Sequence, residues 1–165
     1  MRKSTLIISQ QACDVFLSRI AAATEALVGV VLLLAGCAVY LLFRSKGILL
    51  CQWFAAAAGT AALDTLRQAA AGWEPSPWMR YSLPDGLFCA SYLLIMDALW
   101  RRSRPALRYL MVAVMPVAAL VHECLQGMGA VRGTFDTADL LCYLTPLVIY
   151  FTVQYLFHQS KNFSL

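Results

Sequence analysis

The chain has 165 residues, of which 61% are hydrophobic and 13% charged, with a formal net charge of +4. A soluble domain carries about 25% charge, so this balance and a mean hydropathy of +0.67 exclude an ordinary soluble fold. They fit a single domain embedded in a bilayer. The positive excess then reads as membrane topology. No Lys/Arg cluster alternates with aromatics along an exposed face, so nucleic acid is not an expected partner.

In chain order, residues 4–25 predict an amphipathic helix, because Ser4, Gln11, Asp14, Ser18 and Glu25 recur at helical spacing. Asp14 and Arg19 are costly in hydrocarbon, which favours an interfacial helix over an additional, sixth span. Spans are predicted over 26–43, 48–66, 83–100, 107–125 and 140–157. In the first, Gly29 and Gly36 offer close approach to a neighbouring helix. The second is Ala-rich through Ala55 to Ala58, a surface suited to helix contact in lipid. Between the second and third, Trp73, Pro75, Pro77, Trp78 and Tyr81 read as an interfacial belt.

Pro84 belongs in the first turn of the third span, where Asp85 meets the positive end of the helix dipole. Asp97 and Arg101 form an (i, i+4) pair and read as structural. Pro116 and Pro146 lie inside the fourth and fifth spans and free backbone carbonyls there. Six cysteines occur without any C-x-x-C and read as small apolar packing residues. The expected fold is thus all-α: a polytopic transmembrane bundle of five spans plus the N-terminal helix, one domain over 1–165.

Orientation follows from Arg101, Arg102, Arg104 and Arg108, a basic loop that the positive-inside rule places in the cytoplasm. With five spans, Arg44, Lys46 and Lys161 fall on that side too, so the C-terminus is cytoplasmic. Arg2, Lys3 and Arg19 fit only if residues 4–25 cross as well. Asp64, Asp85, Glu123, Asp136 and Asp139 then share the outer face with Arg67, Arg80 and Arg132.

The segment from Val121 to Tyr143 concentrates the polar chemistry: His122, Glu123, Gln126, Arg132, Asp136 and Asp139 lie within 18 residues. Membrane-edge acids usually face a bundle interior or a polar cavity. Helix capping and pairing with arginine is the structural alternative. The candidate ligand-binding set is these six residues with Asp85. No metal site is expected, because Gln126 breaks H-E-x-x-H, and no cofactor motif occurs. No nucleophile motif occurs either.

Glu123-x-x-Gln126, then Arg132, then Asp136-x-x-Asp139, resembles the VanZ-like membrane protein family over residues 107–157. Tyr143 and Pro146 depart from that family's pattern, standing where an Asn and a Gly usually follow. The resemblance implies a bacterial cytoplasmic membrane protein of the cell envelope, similar to one associated with low-level glycopeptide resistance. The first expectation is handling of an envelope lipid, saccharide or cell-wall-type ligand, with Arg132 as a bidentate donor to phosphate or carboxylate. The second is a structural subunit that assembles with a membrane protein partner or as a homo-oligomer. An acid-dependent hydrolase or transferase ranks third, so an enzyme is not the favoured reading.

Overall fold

The computed structural model describes residues 2–162, with side chains described for 15–157 and 159. It is all-helical: α1 (Arg2–Phe43), α2 (Leu49–Ala58), α3 (Thr60–Ala69), α4 (Pro77–Tyr81), α5 (Leu83–Trp100), α6 (Pro105–Gly127) and α7 (Thr137–Asn162). Four helical stretches among the described residues are long and apolar enough to cross a membrane, Val15–Phe43, Leu83–Trp100, Pro105–Gly127 and Thr137–Phe157. The bent pair α2–α3 makes up to five if it counts as one span. This architecture fits an integral membrane protein.

No turn separates residues 4–25 from 26–43; both belong to the single helix α1. Of the polar stripe expected along this segment, the side chains of Ser4, Gln11 and Asp14 lie outside the described residues.

The helix α5 is the hub. It packs antiparallel against α1 and also against α6 and α7. Gly29 and Gly36 of α1 are buried and make that approach possible, as their spacing suggested. A Cβ at Gly29 would stand 2.7 Å from Ile95 Cγ1, and one at Gly36 would stand 2.8 Å from the Phe88 ring. Only glycine lets the backbones come this close. Cys89, Leu93, Val112 and Tyr150 form the buried core between α5, α6 and α7. Cys51 is also buried, in keeping with a packing role.

The two internal prolines sit beside side chains of α5. Tyr92 donates to the Met111 carbonyl at 2.7 Å in the turn before Pro116, and the Cys89 thiol points at the Tyr143 carbonyl at 3.6 Å in the turn before Pro146. Proline strips a donor from such turns, and α5 supplies polar contacts to both.

The segment over 48–66 departs from a straight span. α2 and α3 meet at Gly59, whose φ of +90° suits glycine alone, and the two helices are bent by 113°. Arg67 Nε donates to the Leu41 carbonyl and its Nη2 to the Arg44 carbonyl, each at 2.8 Å. It thereby caps the C-terminus of α1, where the helix dipole favours a cation. Lys46 Nζ and Asp64 Oδ1 lie 2.5 Å apart. Lys46 and Asp64 therefore lie on one face, not on the opposite faces that five straight spans imply. Both ends of the α2–α3 pair lie beside the end of α1, because Arg67 satisfies carbonyls that α1 leaves open.

Candidate functional site

The site is built where the C-terminal ends of α1 and α6 meet the N-terminal ends of α5 and α7. Pro84 lies in the first turn of α5, as expected, and Asp85 follows it. Tyr40 of α1 donates to Asp85 Oδ1 at 2.9 Å, and Tyr143 of α7 donates to Oδ2 at 3.2 Å. One carboxylate thus joins three helices. Tyr143, the residue that departs from the VanZ-like pattern, is one of its two phenol partners.

The α6–α7 turn accounts for two of the predicted acids. Glu123 is 5% exposed and accepts from the Asp136 amide at 2.8 Å. Asp136 Oδ1 accepts from the Ala138 amide at 2.8 Å, and the Asp136 carbonyl takes the first helical bond of α7 from Leu140. Asp136 is therefore the N-cap of α7, and Glu123 holds the cap's own amide from the preceding helix. Together they satisfy two donors in a reciprocal arrangement like a capping box. Glu123 and Asp136 thus have structural work at the α6–α7 turn.

Gln126 lies 3.0 Å from His122 across their side chains. It also presses on the α6–α7 loop, since a Cβ at Gly133, where φ is +144°, would stand 2.5 Å from Gln126 Nε2. Arg132 is exposed in that loop and makes no ion pair among the described residues. Asp139 lies in the first turn of α7. Its Oδ1 is buried without a hydrogen-bond partner among the described residues, and it lies one helical turn before Tyr143, the α7 partner of Asp85. A buried oxygen left open in this way is costly and usually has a reason.

Asp64 also belongs to this end of the bundle, but Lys46 occupies it. The Arg44 guanidinium lies 5.1 Å from the Tyr40 ring centre and 4.9 Å from that of Tyr81. Such stacking holds a cation at a partly wet surface. Trp73, Trp78 and Tyr81 are each about half exposed, as suits an interfacial belt. Beside Gly86 and Cys142, a mainly apolar cleft of about 390 Å³ opens between α5 and α7, with Trp78 at its mouth.

The opposite end holds a group whose reach the sequence did not reveal. Asp97 is 1% exposed. It accepts from Arg108 Nε at 2.6 Å and Nη2 at 2.7 Å, from Tyr150 at 2.5 Å, from Arg101 at 3.2 Å and from Gln154 at 3.4 Å. Arg101 also pairs with Glu25 of α1. The expected Asp97–Arg101 pair is present, and the same carboxylate gathers α6 and α7 as well. A buried acid with this many donors is a structural clamp.

No family model, curated protein or solved structure matches the chain.

Proposed function

We propose that this is a VanZ-like envelope protein that binds the polar head of an amphiphile at the Asp85–Asp139 end of the bundle. Asp139, with Asp85 beside it, takes an amine or hydroxyl group. Arg132 offers a paired donor to phosphate or carboxylate. The observation that carries this reading is the open, buried oxygen of Asp139 in the first turn of α7. Of the predicted acids, Asp139 is the one with an oxygen both buried and free. The head therefore sits at the start of α7 rather than among all of Glu123, Asp136 and Asp139.

In this reading α2–α3 is a re-entrant hairpin and four helices cross. Both termini and Arg101–Arg108 then lie in the cytoplasm, with the site on the outer face. Arg2, Lys3 and Arg19 join the basic side without a sixth span. Arg44 and Lys46 move outside, where Tyr81 and Asp64 hold them.

Native mass spectrometry of the gently extracted protein tests the binding site. An amphiphile bearing an amine and a phosphate or carboxylate should be retained, and lost in Asp139→Asn and in Arg132→Lys. Equal retention in both variants removes the reading. A second reading, an assembly subunit, is favoured by the internal use of Asp64, Asp97, Glu123 and Asp136. A retained protein partner with no small molecule would put that reading first.

A further inference from the structure

Two guanidiniums near the candidate site lack the acceptors that such groups need. The Arg44 guanidinium is held against the Tyr40 and Tyr81 rings. Stacking engages the flat face of a guanidinium and leaves its in-plane N–H donors for an acceptor. Yet Arg44 Nε is buried without a hydrogen-bond partner, and the side chain forms no ion pair among the described residues. Arg80, one residue before Tyr81 in the last turn of α4, repeats the pattern. Its Nε is also buried and open, and it too forms no ion pair among the described residues.

The local carboxylates are already engaged. Asp85 accepts from Tyr40 and Tyr143, and Asp64 is held by Lys46. Arg101 supplies the contrast: its Nε is open as well, but its Nη2 meets Glu25 and Asp97. Arg44 and Arg80 have no such carboxylate. A buried donor left unmade is costly, and an unseen ion is one of the explanations it calls for. Water at each Nε would satisfy a donor without balancing its charge; an oxyanion does both. The frame is set before anything binds. Arg67 donates to the Arg44 carbonyl, and Phe43 meets Trp73 edge-on at 5.2 Å, which holds the connection to α4 against the end of α1. Little side-chain order remains to be imposed on Arg44 by a ligand.

We infer that Arg44 and Arg80 form an oxyanion site that takes a phosphate group. Guanidiniums bind phosphate through parallel N–H bonds. The tetrahedral oxygens of phosphate meet two guanidiniums from different directions, whereas a carboxylate offers its two oxygens in one plane. The group comes either from a lipid head or from free phosphate. Trp73, Trp78 and Tyr81, each about half exposed, put the site at the level where lipid phosphates lie. The inference stands apart from the head site at Asp139 and Arg132, which uses neither arginine.

The test uses palmitoyl-oleoyl phosphatidylglycerol, added to the delipidated full-length protein in a neutral detergent, with bound lipid counted by native mass spectrometry. Arg44→Gln and Arg80→Gln should each weaken binding by about tenfold or more, as expected for the loss of a charge-assisted hydrogen bond. Arg44→Lys keeps the charge but not the fork, so it should not restore binding. Arg102→Gln removes the same charge from an exposed position in the basic loop at the other end and should change nothing. Inorganic phosphate in millimolar excess separates the sources. Displacement of the lipid shows that phosphate alone suffices; a lipid that resists it assigns the site to the whole head group. Either result upholds the site.

Equal binding to the wild type, Arg44→Gln and Arg80→Gln, each with its helical spectrum intact, overturns the inference. So does an equal loss in Arg102→Gln, which would make the attraction one of net charge. Loss in Arg132→Gln alone would place the phosphate at the head site and overturn it too. If Arg44→Gln loses its helical spectrum, Arg80→Gln decides.

Discussion

Asp97 of α5 and Arg108 of α6 form two parallel hydrogen bonds, at 2.6 and 2.7 Å, at the end of the bundle opposite the candidate site. Around that pair converge Tyr150 and Gln154 of α7, and Glu25 of α1 through Arg101. Removing one partner of a buried pair strands the other charge and costs about 3–5 kcal/mol. Asp97→Asn is therefore expected to lower the unfolding free energy by about that amount. Arg108→Gln should cost a similar amount, and the double variant less than the sum of the two. Denaturant unfolding in detergent reads all three, and strict additivity would show that the pair is not a unit.

The turn between α6 and α7 predicts a split among acids that look alike in the sequence. Asp136→Ala removes an N-cap and should cost about 1 kcal/mol. Glu123→Ala leaves the Asp136 amide without its partner and should cost about 1–3 kcal/mol. Asp139→Asn removes no hydrogen bond made within the described residues, so stability should hold while the ligand is lost. A variant set in which Asp139→Asn is the least stable of the three would contradict this division.

The course of α2 and α3 is open to labelling. In a background without native cysteines, Ser45→Cys precedes the bent pair, Gln68→Cys lies in its last turn, and Ser103→Cys lies in the basic loop. A membrane-impermeant maleimide added to intact cells should label the first two and spare the third. Labelling of only one of Ser45→Cys and Gln68→Cys would mean that the segment crosses.

At Gly36, an added methyl group would sit 2.8 Å from the Phe88 ring. Gly36→Ala is expected to cost about 1–3 kcal/mol through overpacking. A smaller ring-side partner should recover part of it, so Gly36→Ala with Phe88→Leu should unfold at higher denaturant than Gly36→Ala alone. No recovery would place the clash elsewhere.

Much of this was legible in the sequence because it rests on local signals. Pro84 marked the start of α5, the (i, i+4) spacing gave Asp97–Arg101, and Gly29 and Gly36 announced a close helix pair. What the sequence hid was long-range. Arg108, Tyr150 and Gln154 reach Asp97 from 11, 53 and 57 positions away, and no periodicity connects them. The Glu123–Asp136 bond is also invisible to helical spacing, since a loop with two positive-φ glycines, Gly129 and Gly133, intervenes. The fold-back of α2–α3 escaped for another reason. Hydropathy measures how apolar a segment is and not whether it returns, and the turn depends on one backbone angle at Gly59.

The docking of α1 on α5 also bears on how the chain is made. α1 emerges from the ribosome before α5, with Gly29 and Gly36 leaving a shallow furrow along one side. Its matching ridge, Phe88, Ser91 and Ile95, is synthesised more than fifty residues after Gly36. During that interval α2 and α3 can already fasten to the end of α1 through Arg67, while the furrow still lacks its ridge. Until α5 arrives, Gly29 and Gly36 have no ridge to receive, so the close α1–α5 contact can form only after both helices are made.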